Sequence, residues 1–272
     1  MENRRNSLHH PLNVDISFLI FSRRQSLPAE ETLQGYTITV SNKRALVVFA
    51  KAPIPGTVKT RLCPPLSPEE ATALHASFAM DAIERTKKVA GKLKADRLVA
   101  CDPDMAHPFF NALRSHHGVK LLQQRGQDLG ERMGGIMQEL FDRDYSSVVI
   151  TGSDLPTLPS GEISQAFGLL ADHDCVLGPC PDGGYYLVGL RCPRPELFSD
   201  VPWGTSEVLQ LTKDKAAALN LKLGLTAPWS DIDTPDDLRT LINEKNRKDL
   251  SQRTARLLQT LSSRLKHRVD DL

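Results

Sequence analysis

Ala45-Leu46-Val47-Val48-Phe49-Ala50-Lys51-Ala52-Pro53-Ile54-Pro55-Gly56-Thr57-Val58-Lys59-Thr60-Arg61-Leu62 joins an apolar run to a loop punctuated by Pro and Gly and carrying three cations. A continuous apolar run of this length reads as a strand covered on both faces, and open α/β sheets bind ligands at the carboxyl edge of such strands. Lys51, Lys59 and Arg61 are spread along the loop, so they can converge on several oxygens of a diphosphate, Arg61 with paired hydrogen bonds. Pro55 and Gly56 belong to the same predicted phosphate-binding set as the turn that receives the anion. The composition also suits a solvated basic loop.

Outward from this stretch, short apolar runs alternate with helical patterns, the sequence form of βαβ units. Ser67, Pro68 and Glu70 spell a capped helix start, and Ala71, Leu74, Phe78 and Ala82 follow at helical spacing. Arg97–Cys101 reads as a strand stopped by Asp102-Pro103, a helix over about 107–116 returns the chain, and Val119–Leu122 is a weaker strand. A Gly-rich segment from Arg125 enters a helix ending near Phe141. Val148-Val149-Ile150 is the central strand, and it delivers Thr151-Gly152-Ser153-Asp154-Leu155-Pro156 to the same edge as the opening loop.

Beyond it, a helix over about 160–172 precedes the strand Cys175–Gly178. Asp182-Gly183-Gly184 is turn chemistry, so Tyr185–Leu190 can return antiparallel and make the sheet mixed. Thr205 is expected to cap a helix to about Leu219, Leu221–Leu225 to form a last strand, and Thr234-Pro235 to open another helix. From about 247 an amphipathic helix offers Leu250, Ala255, Leu257, Leu258, Leu261 and Leu265 for packing. The expected organisation is a poorly ordered N-terminal extension over 1–43, a catalytic domain over 44–245 and a helical tail over 246–272.

The chain of 272 residues, 40% hydrophobic, can bury a full core. Its 34 Lys and Arg against 33 Asp and Glu leave a net charge of +1, which speaks against the broad positive field of a nucleic-acid binder. Five cysteines without C-x-x-C spacing read as reduced thiols of a cytoplasmic protein. The apolar run Ile16–Phe21 is too short to cross a bilayer, so no membrane span is expected.

Asp154 follows a buried strand directly, with Gly152 and Pro156 shaping the turn around it, so its carboxylate is poised to face a ligand. A bound diphosphate calls for a divalent cation, Mg²⁺ or Mn²⁺, held by one or two carboxylates plus phosphate oxygens. Asp154 is the leading metal ligand. Asp231 and Asp233, two apart in an extended segment, share a face, and Asp233 is the better candidate to complete the site. Both can instead complement the dipole of the helix that follows, and Asp154 can cap local amides. Asp182 can act as a general base toward an acceptor hydroxyl, with Gly183, Gly184 and Trp203 beside the acceptor. The alternatives are a plain hairpin turn for Asp182 and a packing staple for Trp203. Arg132 can reach a phosphate.

Six blocks in this order carry a family resemblance: Phe49–Leu62; Gly130-Glu131-Arg132-Met133; Thr151–Pro156; Gly178-Pro179 with Asp182–Leu187; Pro202–Ser206; and Asp231-Ile232-Asp233-Thr234-Pro235. Together they resemble the bacterial DUF2064 group of GT-A-like glycosyltransferases, similar to the molybdenum-cofactor and coenzyme F420 nucleotidyltransferases. The resemblance implies a GT-A, Rossmann-like three-layer α/β fold with a mixed, mostly parallel sheet, a nucleoside-diphosphate-sugar donor, and a metal on Asp154. The segment departs from the Asp-x-Asp pair of typical GT-A glycosyltransferases, since Gly152-Ser153-Asp154 carries one carboxylate.

The leading expectation is a metal-dependent glycosyltransferase moving a sugar from a nucleotide sugar to a small acceptor. Asp154 and Asp182 are its catalytic residues, and Lys51, Pro55, Gly56, Lys59, Arg61 and Arg132 hold the donor. The alternative is a nucleotidyltransferase coupling a nucleoside triphosphate to a phosphorylated small molecule with pyrophosphate release. A non-catalytic nucleotide-binding module is the third reading, disfavoured because binding alone needs cations and amides but no carboxylates.

Overall fold

The computed structural model describes residues 30–33, 36–39, 41–243 and 250–270. The chain divides into two compact units, Met1–Ser41 and Asn42–Leu272. In the first unit, β1 (Glu30–Leu33) and β2 (Tyr36–Thr39) pair antiparallel. The expectation of an unstructured extension over 1–43 otherwise lies outside the described residues.

The second unit is built on a seven-stranded sheet of order β5-β4-β3-β6-β8-β7-β9. Its strands are β3 (Arg44–Lys51), β4 (Ala95–Asp102), β5 (Lys120–Gln123), β6 (Ser147–Gly152), β7 (Cys175–Pro179), β8 (Tyr185–Leu190) and β9 (Leu223–Leu225). All pairings are parallel except those of β8, which runs antiparallel to both β6 and β7. The Asp182-Gly183-Gly184 turn makes that reversal: Asp182 Oδ1 accepts the Gly184 amide at 2.9 Å, and Gly183 takes φ +91°.

Alternate residues of β3 face opposite layers. Ala45 and Val47 join Met133, Ile136, Met137 and Leu140 on one side, with Val148 and Ile150 of β6. Leu46 and Val48 face the other side, packing with β6, β4 and the helices over them. Ala45 through Val48 are each at most 1% exposed, as a central strand between two helical layers must be. This is the three-layer α/β fold expected from the sequence.

The helices are α1 (Pro68–Leu93), α2 (Pro108–His117), α3 (Leu129–Phe141), α4 (Ser160–Leu169), α5 (Val208–Ala218), α6 (Pro235–Asn243) and α7 (Gln252–Asp270). The Ser67–Glu70 capping box is formed in both directions, and Thr234 Oγ1 caps α6 by accepting the Asp237 amide at 3.3 Å. Asp128 caps α3 by accepting the Glu131 amide at 2.8 Å.

Several boundaries differ from the sequence reading. α5 begins at Val208 because Thr205 is spent on a preceding turn, donating its hydroxyl to the Pro202 carbonyl at 2.9 Å. α4 stops at Leu169, three residues early. The start of the tail helix expected near 247 falls outside the described residues up to 249, and α7 opens at Gln252. Thr254, not Ala255, is its fully buried residue: its hydroxyl reaches the buried Asp81 carboxylate of α1 at 2.6 Å. Leu258 and Leu261 then close a cluster with Leu62, Leu66, Leu74, Phe78, Leu238 and Leu241.

Candidate active site

The sheet order changes direction between β3 and β6, where the loops after the two strands diverge to form a crevice. The loop after β3 descends through a short 3-10 turn at Thr60–Leu62, and the loop after β6 carries Asp154. A cleft of about 910 Å³ opens there, lined among others by Lys51, Lys59, Arg61, Arg132, Asp154 and Asp233. Asp182, Gly184, Trp203 and Asp231 also line it, whereas Pro55, Gly56 and Gly183 are not among its lining residues.

Lys59 is the hub. Its side chain is 2% exposed, and its ammonium donates to Asp154 Oδ2 at 2.8 Å and to the Ile232 carbonyl at 2.6 Å, with Asp233 Oδ1 at 3.6 Å. Asp233 Oδ2 takes a second cation, Arg61, at 2.9 Å, while most of the Arg61 side chain stays in solvent. The Ile232 amide donates to the Asp154 carbonyl at 3.1 Å, so the loop after β6 and the segment before α6 are stapled by backbone as well as charge.

His75, buried on α1, completes the frame. Its Nδ1 lies 3.2 Å from Asp154 Oδ1 and its Nε2 lies 3.1 Å from the Lys51 carbonyl. Through these two contacts the ring bridges the loop after β6 to the end of β3. Burial alone would raise the Asp154 carboxyl, but the Lys59 charge and the His75 hydrogen bond outweigh it and hold it well below the usual carboxylate range. Asp231 differs. Burial, reinforced by the carboxylates of Asp182, Asp233 and Asp154, pushes it up despite Lys59.

On the opposite wall Arg132 is tied to Asp102 at 3.1 Å and donates from Nε to the Gly126 carbonyl at 3.1 Å, which fixes its guanidinium at the cleft edge. Trp203 stands edge-on to Tyr185 with ring centroids 6.1 Å apart. It packs so closely on α3 that a Cβ at Gly130 would lie 2.6 Å from the indole nitrogen. Gly183 is pressed against Ser206, whose carbonyl would lie 2.1 Å from an added Cβ, and its own carbonyl accepts the Leu209 amide at 2.8 Å. That glycine therefore serves packing of the turn on the segment before α5.

The structure thus brings Lys51, Lys59, Arg61, Arg132, Asp154 and Asp233 to one cleft, and adds His75, Asp102 and Ser153, which sequence reasoning missed. Asp102 reads in the sequence only as a strand end, and His75 lies beside Leu74 and Phe78 on a helix face that also buries Ser77, Asp81 and Thr86. Among the described residues no group of three or more His, Cys, Asp or Glu is arranged to hold a metal. The pair Asp154 and Asp233 offers an all-oxygen donor set that fits Mg²⁺ or Mn²⁺ once phosphate oxygens complete the shell. None of the five cysteines is in a disulfide, and burial pushes Cys101, Cys175 and Cys180 up to about 12. No helix among the described residues is long and apolar enough to cross a membrane.

Cations and carboxylates thus converge at the switch point of a mixed α/β sheet, the place where open α/β sheets bind their ligands. The chain belongs to the DUF2064 family, described as uncharacterized proteins conserved in bacteria, which it matches over residues 85–205. It is 32% identical to a crystal structure from Desulfovibrio desulfuricans G20, provisionally described as a nucleotide-diphospho-sugar transferase. That match covers 84% of this chain and 98% of the other at a TM-score of 0.72. It is 28% identical over 140 residues to 2-phospho-L-lactate guanylyltransferase of Methanothermobacter thermautotrophicus, spanning 49% of this chain and 56% of that relative's length. A cytidylyltransferase from Leptospira borgpetersenii, 14% identical, shares the fold at a TM-score of 0.50 over 83% of this chain and 96% of its own.

Proposed function

We propose that the chain is a metal-dependent nucleotidyltransferase, coupling a nucleoside triphosphate to a phosphorylated small molecule with release of pyrophosphate. The observation that carries this reading is the acid pair: one carboxylate at the end of β6, Asp154, joined through Lys59 to Asp233 from a distant loop. An Asp-x-Asp pair on one strand end, as glycosyl transfer typically uses, is replaced here by Gly152-Ser153-Asp154. The partial relationship to a guanylyltransferase supports the same chemistry.

In this reading Lys51, Arg61 and Arg132 meet the triphosphate oxygens from two sides of the cleft, with Pro55 and Gly56 shaping the loop that carries Lys51 and Lys59. Asp154, positioned by His75 and Lys59, and Asp233 would hold a divalent cation, which when bound supplies charge neutralisation for the phosphates. A phosphate oxygen of the acceptor attacks the α-phosphorus, the bond from that phosphorus to the bridging oxygen of the β-phosphate breaks, and pyrophosphate leaves with the electron pair. Such an acceptor is already an anion at neutral pH. Asp182, bonded to the Gly184 amide and open to solvent, then serves to orient the acceptor together with Gly184 and the Trp203 segment. Five cysteines outside any disulfide support a cytoplasmic setting.

Glycosyl transfer is the second reading, favoured by the extensive similarity to the Desulfovibrio protein. Incubation with Mn²⁺ or Mg²⁺, a panel of nucleoside triphosphates and nucleotide sugars, and small-molecule extract separates the two by mass spectrometry. Pyrophosphate with a nucleotidylated product is the expected result. Nucleoside diphosphate with a glycosylated product would replace this reading with the second.

A further inference from the structure

We propose that the Lys59 ammonium and a divalent cation are alternative occupants of the space between Asp154 and Asp233, so that metal enters together with the nucleotide phosphates and not ahead of them. This rests on the nucleotide-binding reading above. An ammonium has three N–H donors, and three oxygens face it: the Ile232 carbonyl at 2.6 Å, Asp154 Oδ2 at 2.8 Å and Asp233 Oδ1 at 3.6 Å. Two donors are spent on hydrogen bonds and the third faces Asp233, so at 2% exposure Lys59 presents none of them to solvent.

The other carboxylate oxygens are engaged as well. Asp154 Oδ1 faces His75 Nδ1 at 3.2 Å and the Ser153 hydroxyl at 3.3 Å, and Asp233 Oδ2 faces Arg61 at 2.9 Å. Mg²⁺ binds oxygen ligands at roughly 2.0 to 2.1 Å. It would have to stand beside a buried ammonium already paired with both acids, and the like charges repel. Incoming phosphates remove the conflict, because they bring negative charge for the ion and new acceptors for Lys59.

The backbone is suited to the exchange. Lys59 takes φ 50° and ψ 35°, the left-handed region, at the junction with the Thr60–Leu62 turn. A non-glycine residue held there persists when its surroundings fix it, and the side-chain anchor on Asp154 and Ile232 does so. Releasing the anchor frees the turn that carries Arg61.

The test is Mn²⁺ binding followed by electron paramagnetic resonance, with folding checked by circular dichroism. Without nucleotide, Lys59→Met is expected to bind Mn²⁺ at least about tenfold more tightly than the unaltered protein, a difference of about 1.4 kcal/mol. Lys59→Arg, which keeps the charge, is expected to bind as weakly as the unaltered protein. Lys59→Gln, whose amide can still donate to Ile232, is measured in parallel and supplies the neutral arm should the Met variant not fold. A nucleoside diphosphate is expected to tighten binding to the unaltered protein and shrink its difference from the neutral variants. Equal Mn²⁺ affinity in charged and neutral forms without nucleotide overturns the exchange alone. Failure of every form to bind Mn²⁺, with or without nucleotide, overturns it together with metal-dependent transfer.

Discussion

Asp231 and Asp154 face the same cleft and are shifted in opposite senses. Asp231 has its carboxyl raised by burial and by the neighbouring acids, which means its ionised form is penalised in the folded protein. A raised carboxyl favours folding at low pH, and that stability is lost as pH rises through the folded value. Asp231→Asn is therefore expected to raise the urea midpoint at pH 7 to 8, with the gain vanishing below the ordinary carboxylate range near pH 4. A gain that stays constant down to pH 3 would show that packing, not charge, is responsible. The residue types of the site were legible in the chain, since Lys51, Lys59, Arg61, Asp154 and Asp233 were all singled out. Their directions were not. Lys59 reads as an outward phosphate ligand until the fold shows Ile232, 173 residues away in sequence, as its closest acceptor. His75 meets Asp154 across 79 residues, a contact with no local sequence signal.

At the scale of elements, cap chemistry and strand patterning were readable because they are local. The Ser67–Glu70 box and the Thr234 cap depend on neighbours three residues apart. Thr205 misled because a hydroxyl can serve a turn as readily as a cap, and its actual partner is Pro202. The contact between α3 and the Trp203 segment depends on Gly130, whose added Cβ would meet the Phe198 carbonyl and the Trp203 indole nitrogen, each at 2.6 Å. Backbone cannot retreat as a flexible side chain can. Gly130→Ala is thus expected to cost about 1 to 3 kcal/mol in denaturant unfolding and to change Trp203 fluorescence. Gly161→Ala, where an added Cβ meets nothing within 4 Å, is the control expected to stay within about 0.5 kcal/mol of the unaltered protein. Equal behaviour of the two variants would contradict the close packing.

For the whole molecule, the βαβ alternation foretold the layers, and the glycine turn foretold the reversal of β8, but strand order is a tertiary outcome that the chain does not spell out. The helix expected as a separate tail shares a core with the sheet-bearing unit. Leu258 and Leu261 are 1% and 3% exposed against α1 and α6, and Arg253 pairs with the buried Asp81 at 2.9 Å. Leu258→Ala is expected to cost about 2 to 5 kcal/mol in equilibrium urea unfolding; a loss under about 0.5 kcal/mol would mean that α7 is dispensable to this core.

The same unit brings β3 and β6 side by side, and from that adjacency follows the central claim, transfer of a nucleotidyl group. Parallel reactions with nucleoside triphosphate labelled at the α- or the γ-phosphorus, in Mn²⁺ with a pool of phosphorylated small molecules, test it most directly. The α-label is predicted to enter an organic product and the γ-label to leave as pyrophosphate, both ceasing in Asp154→Asn. Retention of both labels in the triphosphate, while a matched reaction supplied with nucleotide sugars consumes them to nucleoside diphosphate, would contradict it.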